Sequence, residues 1–229
     1  MTTVTVTPDN NASQAAVQAY NEALEIYRRL AVANPAAYEP DIAMTLNNLG
    51  VLYSANNASQ AAAQAYDEAL VIRRRLAAAN PAAYEPDIAD TLNNLGNLYS
   101  DNNDSQAAGA AYEEALAIYR RLAVENPSAY EPYVAMTLSN IGILYADDVA
   151  RSRPYYEEAV TIYRRLAAEN PNAFLPKLAR TIAAFGIDLK AAGQHEEAKK
   201  YLEEALGIFE QFAARNAARY QRFVDLIVE

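Results

Sequence analysis

Apolar residues recur along this chain at spacings of three and four, which places their side chains on one face of an α-helix. One such stripe consists of Leu46, Leu49, Leu52 and Tyr53. A polar stretch over residues 54–57 separates it from a second stripe, which consists of Ala62, Tyr66, Ala69, Leu70 and Leu76. The pattern predicts two consecutive helices joined by a short turn.

Serine, proline and arginine residues near the ends of the apolar stripes predict where these helices begin and end. Ser59 stands where the N-cap of the second helix is expected. Asn80-Pro81 is expected to end that helix, because a residue before proline disfavours the α conformation. Pro86 fits the first turn of the following helix, where no backbone N–H is needed. Three arginines, 73–75, fall near the end of the second helix, where cations suit the helix dipole.

The two-helix pattern repeats along the chain. The string Thr-Leu-Asn-Asn-Leu-Gly at 45–50 returns at 91–96, returns with changes at 137–142 and survives in weaker form at 181–186. Residues 43–88 and 89–134 match at 32 of 46 positions. We therefore expect one repeat domain over 10–229, after a flexible or extended segment over 1–9. Its predicted parts are a half repeat at 10–42, four repeats at 43–88, 89–134, 135–178 and 179–216, and a C-terminal half repeat at 217–229.

The spacing of the repeated residues resembles the tetratricopeptide repeat, most closely the long repeats of kinesin light chains and of many bacterial multi-repeat proteins. In the first full unit the matching positions are Leu46, Leu49, Gly50, Tyr53, Ala62, Tyr66 and Ala69. The unit here has 46 residues, whereas the family unit has about 34. The resemblance implies an all-α fold, a right-handed α-solenoid of antiparallel helix pairs forming a superhelix. It also implies that partner peptides bind in the concave groove that the first helices line.

Each repeat carries a glycine inside its predicted first helix, at positions 50, 96, 142 and 186. Glycine in a helix interior costs about 1 kcal/mol relative to alanine. A cost that recurs in every repeat indicates close approach of the paired second helix.

Composition and charge narrow the class of protein. The chain has 229 residues, a formal charge of −10, no cysteine and one histidine, His195. The acidic balance argues against a nucleic acid as the main partner. No apolar run is long enough to span a membrane, and residues 1–10 lack the pattern of a signal peptide, so a cytoplasmic location is expected.

The sequence predicts neither catalysis nor a metal or cofactor site. A thiolate site is excluded without cysteine, and His195 has no second imidazole with which to share a metal. Paired glutamates such as Glu113-Glu114 point about 100° apart on a helix, so they do not converge as an acid–base pair. We therefore predict a binding protein that is not an enzyme.

The resemblance implies that residues of the first helices line the groove, and the candidate binding residues among them are Asn47, Asn48, Asp90, Asn93, Asn94, Asn97, Ser139 and Asn140. Side-chain amides at helical spacing can pair with the backbone of an extended peptide. Alternatively, these asparagines satisfy neighbouring helix ends or loops. The segments 40–55 and 86–101 contain acids but no base, and all seven bases of residues 1–134 are arginines predicted to lie on second helices, away from the groove. A neutral or basic protein segment is therefore the expected partner.

The ends of the chain suggest a second function, self-assembly. Each end carries half a repeat, so a neighbouring copy could supply the missing half in a head-to-tail contact. The residues predicted to form this contact are Tyr20, Leu24, Tyr220, Phe223, Val224 and Ile227. Alternatively, residues 217–229 extend the preceding helix and cover its own end.

Overall fold

A computed structural model describes residues 8–228 of the chain, with side chains described from residue 12 onward. Over that part the chain forms ten helices and no strand, which confirms the predicted all-α fold. The helices are α1 (Pro8–Ala31), α2 (Pro35–Ala55), α3 (Ser59–Ala79), α4 (Pro81–Asp101), α5 (Ser105–Glu125), α6 (Pro127–Leu144), α7 (Val149–Glu169), α8 (Pro171–Ala191), α9 (His195–Ala213) and α10 (Ala217–Val228). Of the predicted flexible or extended segment, residues 1–7 lie outside the described part, and residues 8 and 9 already belong to α1.

The chain separates into two compact units, residues 1–118 and 119–229, and the division falls within α5. In the first unit, α1 packs on α2, α2 on α3 and α3 on α4. In the second unit, α6 packs on α7, α7 on α8, α8 on α9 and α9 on α10. Helices α2, α4, α6 and α8 are the first helices of the repeats, and α1, α3, α5, α7 and α9 are the second helices.

The Asn-Pro pairs separate a second helix from the next first helix, as predicted. Asn80 lies in an extended conformation between α3 and α4, and the side chains of Asn126 and Asn170 accept hydrogen bonds from the N–H groups of Ala129 and Ala173. The first helices begin at these prolines, however, and not near Pro86. The prediction that Pro86 lies in a first turn is wrong, because Pro81 occupies that place and Pro86 lies inside α4. Proline in the second turn removes one backbone hydrogen bond, and the helix continues for 21 residues.

The predicted N-cap at Ser59 is also wrong. Ser59 is the first residue of α3, Ala58 precedes it without a side-chain cap, and the Ser59 hydroxyl donates to Asn102 Oδ1 at 2.9 Å. In the next repeat, Asp104 does cap its helix by accepting from the N–H of Ala107 at 3.0 Å. Because the Ser59 hydroxyl bonds an asparagine 43 residues away, it links the turns of two successive repeats and does not cap α3.

The repeated glycines lie close to side chains of the paired second helix, as their positions predicted. A Cβ atom added at Gly50 would stand 2.5 Å from Cε1 of Tyr66, and one added at Gly142 would stand 2.8 Å from Cε1 of Tyr156. Gly186 faces Leu202 at a similarly short distance. No side chain fits at these positions unless the facing tyrosine or leucine side chain shifts, so glycine allows the two helices of each pair to pack closely.

Burial of tyrosines predicts loss of stability in alkali. Burial raises the pKa of Tyr66 to about 12, and it raises the pKa of Tyr112, Tyr156 and Tyr163 as well. In the unfolded chain these hydroxyls ionise near pH 10, so the folded state keeps its full advantage below that pH and loses it as the pH rises towards 12. We expect helicity and tyrosinate absorbance to change together in this range. If all 17 tyrosines ionised near pH 10 with helicity intact, the assigned burial would be contradicted.

Candidate protein-binding surface

In the first unit, one exposed face is formed by α2 and α4. Met44 and Val51 are 50% and 45% exposed, and Asn47 and Asn48 are half-buried between them on the same side of α2. On α4, Asp90 and Asn94 are half-buried and Asn97 is exposed. We call the exposed and half-buried side chains of this set the α2/α4 face: Met44, Asn47, Asn48, Val51, Asp90, Asn94 and Asn97. Asn93 is buried at 5% exposure and cannot contact a ligand in this arrangement.

Several of these amides contact one another or a neighbouring helix. Asn47 Oδ1 accepts hydrogen bonds from Thr91 Oγ1 at 3.2 Å and from Asn94 Nδ2 at 3.4 Å. Asn97 Oδ1 accepts from the hydroxyl of Tyr112 at 2.6 Å. The side-chain oxygens of Asn47 and Asn97 therefore fit the alternative prediction, in which the asparagines form hydrogen bonds with neighbouring helices. These bonds also hold the amides of α2 and α4 in fixed positions.

The side chain of a buried arginine contacts α4, one of the two helices that form this face. Arg73 of α3 is 5% exposed, and its guanidinium donates to the carbonyl oxygen of Asp87 at 2.8 Å and to Oγ1 of Thr91. Arg73 lies on a second helix, as predicted, and its side chain extends to the first helix α4 in the interior of the helix pair. Burial lowers the pKa of Arg73, and the nearby carboxylates of Asp87 and Asp90 oppose that shift.

Arg73 also departs from the repeat pattern. The equivalent residues of the other second helices are aromatic: Tyr27, Tyr119, Tyr163 and Phe209. One nitrogen of Arg73, Nε, is buried without a hydrogen-bond partner. In this repeat, therefore, a charged side chain occupies the position that an aromatic side chain occupies in the other repeats.

The first helices of the second unit, α6 and α8, present a different surface. Ser139 is buried at 8% exposure, and its hydroxyl lies 2.9 Å from Oγ1 of Thr181. Asn140 is half-buried, and exposed side chains nearby on α6 and α8 are Ile143, Arg180 and Ile187. This surface is therefore more apolar than the α2/α4 face, and it carries a cation.

The residues predicted to mediate self-assembly mostly pack within their own unit. Leu24 is buried in the core formed by α1, α2 and α3, with Tyr20 packed beside it. Helix α10 starts anew after Asn216 and folds back, so that Phe223 stacks on Phe209 with ring centroids 4.9 Å apart. Val224 and Ile227 pack against the same core, and Tyr220 contacts the ring of Phe212. The alternative in which residues 217–229 extend the preceding helix is therefore wrong, because α9 ends at Ala213 and α10 begins at Ala217, although α10 does cover the end of its own unit.

Ion pairs between successive second helices were not predicted from the sequence. Arg153 of α7 pairs with Glu197 of α9 at 2.7 Å. Four further pairs recur at equivalent positions of the repeats, with N–O distances of 2.5–2.8 Å: Arg28–Glu68 and Arg74–Glu114 in the first unit, and Arg120–Glu158 and Arg164–Glu204 in the second. Each side chain is about half exposed, so a pair contributes roughly 0–1 kcal/mol to stability. The signal was present in the sequence as an arginine followed about 40 residues later by a glutamate, in repeat after repeat.

The described part of the chain contains neither a metal-binding cluster nor a helix able to cross a membrane. No group of three or more histidine, cysteine, aspartate or glutamate side chains converges there. No helix among the described residues combines sufficient length with sufficient apolarity to span a bilayer. His195 is an exposed residue at the start of α9.

Solved structures with this fold are repeat solenoids. BtubC (BKLC) from P. vanneervenii is 20% identical, with 90% of this chain and 93% of that chain covered and a TM-score of 0.54. A candidate kinesin light chain with nearly identical TPR-like repeats, from Podosopora anserina, is 17% identical, with 90% of this chain and 94% of that chain covered and a TM-score of 0.54. MamA is 20% identical, with 87% of each chain covered and a TM-score of 0.51. These likenesses establish an all-α repeat solenoid. No curated protein sequence matches the chain.

Family models agree with the repeat pattern. Tetratricopeptide-repeat models match residues 42–81 and 88–127 in the first two full repeats and residues 133–211 in the last two. Together these segments cover well over half of the 229 residues. The chain therefore belongs to the tetratricopeptide repeat family.

Proposed function

We propose that this protein is a non-catalytic scaffold that binds an extended segment of a partner protein on the α2/α4 face. Tetratricopeptide repeats generally mediate protein–protein interaction or scaffolding, and their proteins are generally not catalytic. The proposal goes further by naming a surface and the chemistry of its ligand.

The observation that carries the proposal is the combination of side chains on the α2/α4 face. Met44 and Val51 offer exposed apolar area two helical turns apart, and the half-buried amides of Asn47 and Asn48 lie between them. Apolar area gives binding free energy, while amides can donate to and accept from the backbone of an extended peptide. Because Asn47 and Asn94 are bonded to each other, less ordering is required when a ligand binds.

Charge favours a neutral or basic segment. Neither α2 nor α4 contains a basic residue, whereas α4 presents Asp90 beside Asn94. Arg73, which reaches α4 from α3, is buried against Asp87 and Thr91 and is not accessible to a ligand. A cationic side chain on the ligand would therefore be attracted to the carboxylate of Asp90, and an acidic one would be repelled by it.

The test first selects peptides that bind the chain and then identifies the surface to which they bind. A library of random peptides is displayed on phage and selected on the full chain, and the net charge of the recovered peptides is determined. Binding of a recovered peptide is then measured to Val51→Arg and to a matched control, Val71→Arg. Val71 is an exposed valine on the second helix α3, 69% exposed, and lies outside the α2/α4 face.

We expect the recovered peptides to be neutral or basic. We also expect Val51→Arg to weaken binding about tenfold or more by blocking and repelling them, while Val71→Arg leaves binding unchanged. Selection of acidic peptides would contradict the charge preference, and equal effects of the two substitutions would contradict the location.

Head-to-tail self-assembly receives no comparable support. Leu24, Phe223 and Val224, which were expected to mediate it, contribute to packing within their own units. The scaffold is therefore the function that the described surfaces favour.

A further inference from the structure

The first helices of the second unit carry exposed apolar and cationic side chains on one side. Tyr133 and Ile143 of α6 and Ile187 of α8 are exposed apolar residues, and Lys177 and Arg180 are exposed cations of α8. On each helix these residues lie three, seven or ten positions apart, which places them on the same side. We call these five side chains the α6/α8 face. It is separate from the α2/α4 face, which belongs to the first unit.

The two cations of this face have no carboxylate partner in the described part of the chain. Nζ of Lys177 lies 5.4 Å from the centroid of the Phe174 ring, and Cζ of Arg180 lies 5.8 Å from that of the Phe223 ring. By contrast, arginines of the second helices α1, α3, α5 and α7 form ion pairs with glutamates. Lys177 and Arg180 can therefore pair with carboxylates of a ligand.

Helices α6 and α8 contain one carboxylate each, and both are engaged by other groups. Glu131 of α6 pairs with Arg165, and Asp188 of α8 accepts a hydrogen bond from the hydroxyl of Tyr156 at 2.8 Å. Asp147 is exposed in the turn that follows α6, whereas the two cations lie in the first half of α8. The part of the face around the cations is therefore positively charged, and it attracts acidic side chains.

Differences from the preceding repeat create this combination of side chains. Arg180 stands where α6 has Met136, and Ala184 stands where α6 has Asn140. Ala184 is half-buried between Arg180 and Ile187 on the same side of α8. Because its side chain is a single methyl group, the space that an amide occupies on α6 is open on α8. A large apolar side chain of a ligand can therefore lie over Ala184, beside Ile187.

The exposure of this face does not depend on where the sequence ends. Helix α8 packs between α6 and α10, because α6 contacts α8 and α10 adds Phe223 and Val224 to the core around α8. Ile143 is one repeat further from the end than Ile187 and is more exposed, at 51% against 39%. In a solenoid a further repeat stacks on the last one, so more chain would lengthen the row of first helices and leave this side open.

We propose that the α6/α8 face binds an extended acidic segment of a partner protein. Carboxylate side chains of the segment pair with Lys177 and Arg180, and a large apolar side chain packs on Ala184 and Ile187. The helix rises by about 10 Å between Arg180 and Ile187, which an extended segment spans in about three residues. The segment therefore runs along α8 and carries an acidic and a large apolar residue about three positions apart.

The probes come from a library of random peptides that is displayed on phage and selected on the full chain carrying Val51→Arg, a change confined to the α2/α4 face. Recovered peptides are synthesised with a fluorescent label, acetylated N-termini and amidated C-termini, so that their charge comes from side chains. Fluorescence anisotropy measures binding to the unsubstituted chain and to two doubly substituted variants. Lys177→Glu with Arg180→Glu changes the α6/α8 face, and Lys199→Glu with Lys200→Glu makes the same change of charge at two exposed residues of the second helix α9.

This proposal and the one for the α2/α4 face can fail separately. An acidic peptide recovered on the unsubstituted chain contradicts the charge preference of the α2/α4 face only if Val51→Arg weakens its binding. If Lys177→Glu with Arg180→Glu weakens it instead, the peptide is a ligand of the α6/α8 face.

We expect acidic peptides with a large apolar residue among those recovered, and we expect serine in place of that residue to weaken their binding at least tenfold. Lys177→Glu with Arg180→Glu should also weaken it at least tenfold, and the control pair should change it less than twofold. Recovery of no acidic peptide, equal effects of the two variants, or undiminished binding of the serine-substituted peptides would overturn the proposal.

Discussion

Replacing Gly96 with leucine is expected to lower the free energy of unfolding by about 3 kcal/mol, because the new side chain would overpack a helix pair. A Cβ atom at Gly96 already overlaps the ring of Tyr112, which is buried and bonded through its hydroxyl to Asn97. Moving the whole ring away from Gly96 would lengthen that hydrogen bond. Leucine favours the helix by somewhat less than 1 kcal/mol relative to glycine, which is too little to offset the clash. Urea unfolding followed by circular dichroism measures the change.

The same substitution at Gly207 is the matched control. Gly207 lies inside α9, and a Cβ atom there would meet nothing within 4 Å. Gly207→Leu should therefore show only the gain in helix propensity, so that stability stays unchanged or rises by less than about 1 kcal/mol. If both glycines tolerated leucine equally well, the repeated glycines would not set the helix spacing.

The sequence predicted the helix pairs because their signals are local. Apolar spacing, the Asn-Pro pairs and the glycine of each first helix depend on neighbours within one repeat, and repetition makes each signal visible several times. The beginning of the first helices was misplaced because two prolines, such as Pro81 and Pro86, compete for the same role. Either satisfies the rule for a first turn, and only packing of the whole helix decides between them.

The candidate surface was only partly predictable, because its details depend on contacts between repeats. The family resemblance identified the amides of Asn47 and Asn94 as candidates, but the bond between them joins residues 47 positions apart. The family resemblance placed Asn93 and Ser139 on the same surface, yet an adjacent first helix buries Ser139 against Thr181. A single-helix pattern gives the direction of a side chain but not what the next helix brings against it.

Arg73 was identified as an arginine near a helix end, and its burial became evident only in the structure. A comparison of the repeats could have predicted this burial, because every equivalent residue is aromatic. Its long stem fills core space that an aromatic ring fills elsewhere, while its head bonds to α4. Arg73→Ala should therefore leave a cavity and lower the free energy of unfolding by about 3 kcal/mol.

Arg73→Tyr, which restores the residue found in other repeats, should leave the free energy of unfolding unchanged or raise it by about 1 kcal/mol. Replacing a buried charge with a well-packed apolar group is often neutral or stabilising, and the unbonded Nε of Arg73 is removed as well. The second unit shows that tyrosine is compatible with the surrounding polar contacts. There Tyr163 occupies the equivalent place, and the hydroxyls of Ser139 and Thr181 still meet at 2.9 Å, as Asn47 and Thr91 do at 3.2 Å.

Chemical unfolding of Arg73→Ala, Arg73→Tyr and the unsubstituted chain under the same conditions distinguishes the two contributions of this side chain. If packing of the stem dominates, the alanine variant alone loses stability. If the hydrogen bonds to Asp87 and Thr91 dominate, both variants lose stability by similar amounts, because neither can donate in this way. The second result would contradict our interpretation, and it would mean that a buried guanidinium is what joins α3 to α4 in this repeat.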